Sequence, residues 1–212
     1  MNAQQLAKQA AKHQQLAARK DLLVAAHIGT PTYVCEVGVG TPDLCHVHNW
    51  IENAPVLLID ANLQCCLQCK ERWRDAVSVY PTAIVADDRE MVTMIGPSIE
   101  AFGSGYVEGE QAPAIQMKDD DGWTARIEVP ATRFSQLDPG NIDYLSLDLE
   151  GCEYYVLATM VSRPKLIFAE MKARHYINPY LVEIEEWMRV EGYKRLALPI
   201  NHLGSDWGWA RK

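Results

Sequence analysis

The sequence lacks several features that would assign it to common classes. It has no run of about 18 apolar residues, the length that a membrane span requires, and its first residues lack the apolar core of a signal peptide. Positive charge is scarce, with 20 Lys and Arg against 28 Asp and Glu and a formal net charge of −8. Binding along a phosphate backbone needs clustered Lys and Arg. We therefore expect a cytoplasmic protein that binds neither a membrane nor nucleic acid.

Cysteine spacing of the kind that forms a structural zinc site is also missing. The six cysteines include Cys65, Cys66 and Cys69, which contain a single CxxC, but no second ligand pair follows at a suitable spacing. His46 and His48 form an HxH pattern that is weak as a metal site. We predict reduced cysteines on a buried helix and no metal site, and a bound divalent ion stays an alternative that no ligand set supports.

The length and composition favour one domain over residues 1–212, because 212 residues with 48% hydrophobic side chains can bury a substantial core. Residues 1–26 contain no Gly or Pro and are rich in Ala, Gln, Leu and Lys, which predicts an accessory helix with a thin apolar stripe. The sequence does not determine whether the chain forms a homo-oligomer.

From Tyr33 onward, apolar strands alternate with helical segments. TYVCEVGVG, PVLLIDAN, VSVYPTAIVA, IDYLSLDLE and PKLIFAEM are typical of strands, while the segments 46–53, 62–76, 151–161 and 179–192 favour helices. This alternation predicts an α/β fold with a mainly parallel sheet. Residues 87–130 interrupt it with glycines and acidic turns, which predicts an antiparallel excursion, and within it residues 96–122 are expected to cover the acceptor.

In a parallel sheet, ligands bind at the carboxyl ends of the strands. The first strand ends in EVGVGTPD, which has Asp43 where a dinucleotide fingerprint has its third glycine. That carboxylate and Glu36 would repel a pyrophosphate but suit a cofactor with an ammonium and a sulfonium, such as S-adenosylmethionine (SAM). Asp60 ends the next strand, where an acidic side chain can accept both ribose hydroxyls. An alternative is that Gly38 and Gly40 only form a turn and Asp60 only caps a helix.

These segments together resemble the FkbM-type SAM-dependent methyltransferases. VCEVGVGTPD, VLLIDANLQC, RIEVPATRFSQLD, IDYLSLDLEGCEYYVL and RPKLIFAEM have the order and approximate spacing of that family, over residues 33–172. The resemblance implies a Rossmann-like class I methyltransferase sandwich with SAM above Gly38 and Gly40, and O-methylation of a hydroxyl on a sugar or small natural product. The sequence departs from the family at Ser146, where a Lys is common, at Pro42 in place of a glycine, and at Lys172 in place of a frequent His.

The predicted site has three parts. Methyl transfer to a hydroxyl needs alignment and a base within hydrogen-bond reach, and the neighbouring strand-end carboxylates can supply that base. Asp148 and Glu150 would point the same way in regular strand geometry, whereas Glu153 is equally consistent with stabilising the helix start. The predicted residues are, for catalysis, Asp148, Glu150 and Glu170; for the cofactor, Glu36, Gly38, Gly40, Asp60, Ala61 and Asn62; and for the small-molecule or glycan acceptor, Ser104, Lys172 and His175.

Two other classes of function stay open at this point. DYLSLDLE partly matches the DxxDxDxE strand of one group of chitinases, in which Glu150 would be the general acid, although Ser146 replaces one acidic residue. A protein that binds SAM or a nucleotide without turnover is the other alternative.

Overall fold

The computed structural model describes residues 3–96, 106–108, 125–172, 177–196 and 206–211. Its elements are, in chain order, α1 (Ala3–His27), β1 (Val34–Val37), β2 (Val56–Asp60), α2 (Leu63–Trp73), β3 (Val77–Pro81), β4 (Ala83–Ile84), β5 (Met91–Gly96), β6 (Tyr106–Val107), β7 (Ala125–Thr132), β8 (Tyr144–Leu147), α3 (Glu153–Thr159), β9 (Leu166–Glu170), α4 (Leu181–Val190), β10 (Tyr193–Arg195) and β11 (Asp206–Arg211).

Seven of these strands form the central sheet, in the order β10-β11-β9-β8-β1-β2-β3. The pairs β1–β2, β2–β3, β1–β8 and β8–β9 are parallel, and β11 runs antiparallel to both of its neighbours. The mainly parallel α/β fold is therefore confirmed. Successive strands proceed outward from β1 to β3, and the chain then returns to the other side of β1 with β8. This reversal places the topological switch point between β1 and β8, where open α/β sheets bind their ligands.

Apolar side chains cover both faces of this sheet. On one face, Leu145, Leu147, Ile167 and Ala169 pack with the buried residues of α3 and α4. The other face carries Val34, Leu58, Tyr144 and Phe168, with Val24 of α1 and Cys69 of α2. Strands that are buried on both faces explain the nearly continuous apolar runs in the sequence.

The α1 helix begins and ends close to the predicted bounds. In its C-terminal half, Ala17, Lys20 and Val24 are fully buried, and their spacing of three and four residues places them on one face of the helix. Val24 packs with Val34, Tyr144 and Phe168, so α1 covers the central sheet directly.

The predicted excursion forms a second sheet in the order β4-β7-β5-β6. The strand β5 is antiparallel to β7 and β6, as expected, while β4 pairs in parallel with β7. Most of the segment 96–122, predicted to cover the acceptor, lies outside the described residues. The helix expected over residues 46–53 is wrong in extent, because only a short 3-10 turn at His48–Trp50 forms there.

None of the helices in the described part of the chain is both long enough and apolar enough to cross a bilayer.

Candidate active site

The first part of the site is the glycine loop that follows β1. Gly38 and Gly40 have φ values of 83° and 63°, which glycine adopts at no steric cost. A Cβ at Gly38 would lie 1.7 Å from the carbonyl oxygen of Asp148. Only glycine therefore lets the loop pass this close to the end of β8. The amide of Asp148 donates to the Val37 carbonyl at 2.9 Å, which joins the two strand ends.

Asp60 organises the same loop from the end of β2. Its Oδ2 accepts a hydrogen bond from the Gly40 amide at 2.7 Å, and its Oδ1 accepts from the Asn62 amide at 2.7 Å. Burial raises the pKa of the Asp60 carboxyl to about 6, against the opposing effect of the Asn62, Gly40 and Val39 amides. Because a carboxylate offers about four lone-pair sites, Asp60 can hold this loop and still accept from a ligand hydroxyl.

The other predicted cofactor residues lie around this loop in different ways. Ala61 is partly buried and packs on the core of the second sheet, and the Asn62 side chain caps α2 by accepting from the Gln64 amide at 2.9 Å. Glu36 is 1% exposed, and its carboxylate accepts from the amides of His46 and Val47 and from the Cys45 thiol. Glu36 thus holds the 45–47 segment on the α1 face of the sheet.

The predicted catalytic carboxylates lie across the switch point. Asp148 directly follows β8, Glu150 lies two residues further on, and Glu170 ends β9; all three are half-buried. Burial, followed by the charges of Glu170 and Glu150, holds the pKa of Asp148 well above its usual range. A raised pKa makes the ionised form of such a group a stronger base, so Asp148 in the crevice of this α/β sheet is a candidate proton acceptor.

The prediction that Asp148 and Glu150 share one side of a regular strand is wrong. The strand β8 ends at Leu147, and Glu150 has a φ of 52°, which lies in the left-handed region. Strand alternation therefore does not apply to them. The turn between β8 and α3 brings both residues to the same edge of the sheet. The carboxylates at this edge, Asp148, Glu150 and Glu170, are called the rim below.

Glu153 fixes that turn. It is fully buried, and its carboxylate accepts from the amides of Leu149 at 2.8 Å and Gly151 at 3.1 Å and from the side-chain amide of Asn178. Burial raises the pKa of Glu153 to about 7. These contacts favour the structural role that the sequence left open, and they tie the β8–α3 turn to the segment that follows β9.

The structure describes one of the three predicted acceptor residues, Lys172. Lys172 is half-buried two residues beyond β9, where it forms a β-bridge with Ile177. Ser104 and His175 lie outside the described residues.

The cysteines on α2 have a packing role. Cys65, Cys66 and Cys69 are buried on α2, and all six cysteines are free thiols. Among the described residues, no three His, Cys, Asp or Glu side chains are grouped so that they could hold a metal ion.

Sequence reasoning missed a buried polar group on the α1 face of the sheet, formed by Lys20, His46, Ser146 and Asp206. Lys20 could have been found from helical spacing, because it shares the buried stripe with Ala17 and Val24. No sequence signal indicated Asp206 or Asn178, since their partners are 186 and 25 residues away.

Solved structures share this fold. A 1,6-didemethyltoxoflavin-N1-methyltransferase from Burkholderia thailandensis, with bound 1,6-didemethyltoxoflavin and S-adenosylhomocysteine, has a TM-score of 0.51 and 13% identity over 98% of this chain and 81% of its own. Magnesium protoporphyrin IX methyltransferase from Synechocystis PCC 6803, with bound S-adenosylhomocysteine, has a TM-score of 0.53 and 10% identity over 95% of this chain and 84% of its own. The fold is therefore that of class I methyltransferases.

The family follows from the sequence. Residues 25–195 match the methyltransferase FkbM domain, so the chain belongs to the FkbM methyltransferase family. No curated protein matches the chain in sequence. Family membership confirms the prediction of a SAM-dependent methyltransferase over the two alternatives, a chitinase-like hydrolase and a protein that binds SAM or a nucleotide without turnover. The open sheet also differs from the barrel that the hydrolase would need.

Proposed function

We propose that this methyltransferase transfers the methyl group of SAM to a hydroxyl of a sugar or small natural product. The observation that carries the proposal is the meeting, at one switch point, of the Gly38–Gly40 loop with a rim of half-buried carboxylates. The loop suits a cofactor, and the rim suits a hydroxyl that must lose a proton.

The cofactor part consists of Gly38, Gly40 and Asp60, with Glu36, Ala61 and Asn62 around them. SAM supplies, when bound, a methyl group on a positively charged sulfur. The Asp60 carboxylate would accept from the ribose hydroxyls while Gly40 and Asn62 hold it in place. The bound S-adenosylhomocysteine of the two compared proteins supports SAM as the donor.

The acceptor part consists of Asp148, Glu150 and Glu170. The raised pKa of Asp148 makes its ionised form a stronger base than an ordinary carboxylate, so that form can take a proton from a hydroxyl as the new bond forms. The same carboxylates can also orient several hydroxyls of a glycan or polyol. Lys172 lies at the same strand end and would contact the acceptor, and Ser104 and His175 stay predictions for that role.

Calorimetric titration tests the cofactor part. We expect SAM and S-adenosylhomocysteine (SAH) to bind and NAD not to bind. Asp60→Ala removes both the ribose acceptor and the clamp on the loop, so SAM binding should weaken by about 1.5 to 3 kcal/mol, the range for a hydrogen bond to a charged group.

Asp75→Ala is the matched control, because Asp75 is an exposed carboxylate beyond the end of α2. It should leave the affinity for SAM unchanged. Equal affinities of Asp60→Ala and wild type would refute the proposed placement, and tight binding of NAD would refute the choice of cofactor.

An acceptor screen tests the reaction. The protein is incubated with SAM and a panel of sugars and hydroxylated natural products, and SAH release is followed. We expect a product heavier by one CH2 unit, with NMR showing an O-methyl signal. Methylation only at nitrogen, in a panel that offers both atoms, would contradict the proposal.

A further inference from the structure

A lysine ammonium lies buried beneath the rim. Lys20 of α1 is fully buried, and its Nζ is 2.6 Å from Asp206 Oδ2 and 3.0 Å from His46 Nδ1. It also donates to Ser146 Oγ at 3.4 Å and lies 5.5 Å from the centre of the Phe168 ring. Three segments besides α1 therefore supply polar partners to this ammonium.

The ion pair with Asp206 makes Lys20 the donor in its contact with His46. An ammonium has no acceptor site, so His46 Nδ1 must accept from Lys20 and is itself unprotonated. The approach of His46 Nδ1 to Glu36 Oε1, at 3.4 Å, is then not an ion pair. Lys20 and Asp206 form the ion pair of this group.

A gain in folding stability is a poor explanation for the buried Lys20–Asp206 ion pair. Two buried charges lose their hydration, and apolar side chains of similar volume often stabilise a core equally well or better. The position of the pair suggests another role. Asp206 is the register partner of Glu170 across β9 and β11, and its charge contributes to the raised pKa of Asp148. The pair therefore lies beside two carboxylates of the rim.

We propose that Lys20 is a positioning residue that acts through Asp206. The Lys20–Asp206 pair determines the net charge beside the rim, and this charge determines how strongly the site prefers cationic SAM over SAH, whose sulfur is neutral. This inference rests on the proposed function. Removing the positive charge of Lys20 should favour the cation, removing the negative charge of Asp206 should disfavour it, and removing both should leave the preference near its original value.

The test is a charge cycle read by calorimetric titration at pH 8 with SAM and SAH as the probes. The measured quantity is the ratio of the two dissociation constants, SAH over SAM. Lys20→Met should raise it about threefold or more, Asp206→Asn should lower it by a similar factor, and Lys20→Met with Asp206→Asn should stay within about twofold of wild type, as expected for a unit charge near a partly hydrated site. Lys194→Met, an exposed change in β10, controls for net charge and should leave the ratio unchanged.

A purely structural role would shift both affinities together and leave the ratio constant, which would overturn the inference. If Lys20→Met does not fold because Asp206 loses its ion-pair partner Lys20, the titrations of Asp206→Asn and of the double variant still test the inference. Wild type that binds neither probe refutes the proposed cofactor site and this inference with it. Wild type that binds both, with equal ratios in every variant, refutes this inference alone.

Discussion

Three carboxylates within six residues, at Asp148, Glu150 and Glu153, end in different surroundings. Glu153 is buried, and backbone amides and Asn178 satisfy its carboxylate. Asp148 and Glu150 stay half-buried at the rim, where burial and neighbouring negative charges oppose ionisation of Asp148. Desolvating a carboxylate is costly without such partners, so the first arrangement supports structure and the second is suited to a polar ligand.

Neutralising the rim carboxylates should separate catalysis from folding. Glu150→Gln keeps the shape of the side chain but removes the charge that stabilises a departing proton, so turnover should fall about 100-fold or more while SAM affinity stays nearly unchanged. Asp148→Asn should act similarly. Glu71→Gln, on the exposed side of α2, is the control and should keep full turnover. Turnover with the identified acceptor and the melting temperature are measured for each variant. A folded Glu150→Gln protein with full activity would exclude Glu150 as the base.

Gly38 allows a direct test of the close approach between β1 and β8. Gly38→Ala combines a positive φ with a Cβ 1.7 Å from a backbone oxygen, so unfolding should become easier by about 3 to 5 kcal/mol. Gly29→Ala is matched in φ, at 79°, but has nothing within 4 Å of its Cβ, and should cost only about 1 to 2 kcal/mol. Denaturant unfolding measures both changes. Similar losses in the two variants would show that the contact with Asp148 is unimportant.

At the scale of elements, the turn between β8 and α3 depends on one side chain of the helix that follows it. Glu153→Gln replaces one of two accepting oxygens by an NH2 group in a carboxylate to which the Leu149 and Gly151 amides donate. This change should lower stability by about 1 to 3 kcal/mol and also weaken SAM binding or turnover, because Asp148 and Glu150 belong to this turn. Asp138→Asn is the control. Asp138 accepts from the amides of Gly140, Val161 and Ser162, which lie before β8 and β9 and so at the opposite end of the sheet.

Denaturant unfolding and calorimetric titration measure this pair of variants. We expect comparable losses of stability, with a functional defect only in Glu153→Gln. A functional defect of the same size in Asp138→Asn would mean that general loosening, rather than the turn, affects the site.

The elements that the sequence predicted well are those with strong local signals. The strands β1, β2, β8 and β9 are short apolar runs that end at Gly or carboxylate residues, and α4 has apolar positions at helical spacing. The strands β10 and β11 were not predicted. The strand β11 pairs with β9, which is distant in sequence, and β10 pairs with β11. In addition, β11 is a run of mixed polarity, DWGWAR.

The same distinction applies to the site. Strand-end position was enough to predict that Gly38, Gly40 and Asp60 lie close together, because the carboxyl ends of parallel strands meet at one edge. Contacts between side chains that are distant in the sequence were not predictable. Ser146 departs from the lysine common at its position in FkbM-type sequences, and the structure places the Lys20 ammonium 3.4 Å from its hydroxyl. Local sequence does not reveal that a lysine from α1 lies there.

At the scale of the whole molecule, several acidic side chains are buried in addition to those on the surface. Burial raises the pKa of Glu36 to about 7, of Asp60 to about 6 and of Glu153 to about 7. Unfolded Asp and Glu titrate near about 4. Between about pH 4.5 and 7 these three carboxyls therefore bind more protons in the folded chain than in the unfolded chain.

Stability should consequently fall as the pH rises through this window. The unfolding free energy changes with pH in proportion to the number of protons bound by the unfolded state minus the number bound by the folded state. For these three carboxyls the difference is negative, so the unfolding free energy decreases as the pH rises. We expect a higher melting temperature at pH 5.5 than at pH 7.5, by about 2 to 4 °C for each kcal/mol of change in a chain of this size.

Asp87, Asp143 and Glu186 have lowered pKa values, so their stabilisation is lost only at lower pH. Glu153→Gln removes one of the titrating groups, and its melting temperature should depend less steeply on pH than that of wild type. A wild-type melting temperature that rises from pH 5.5 to 7.5, or a slope unchanged by Glu153→Gln, would contradict the view that these carboxyls are held partly protonated by burial.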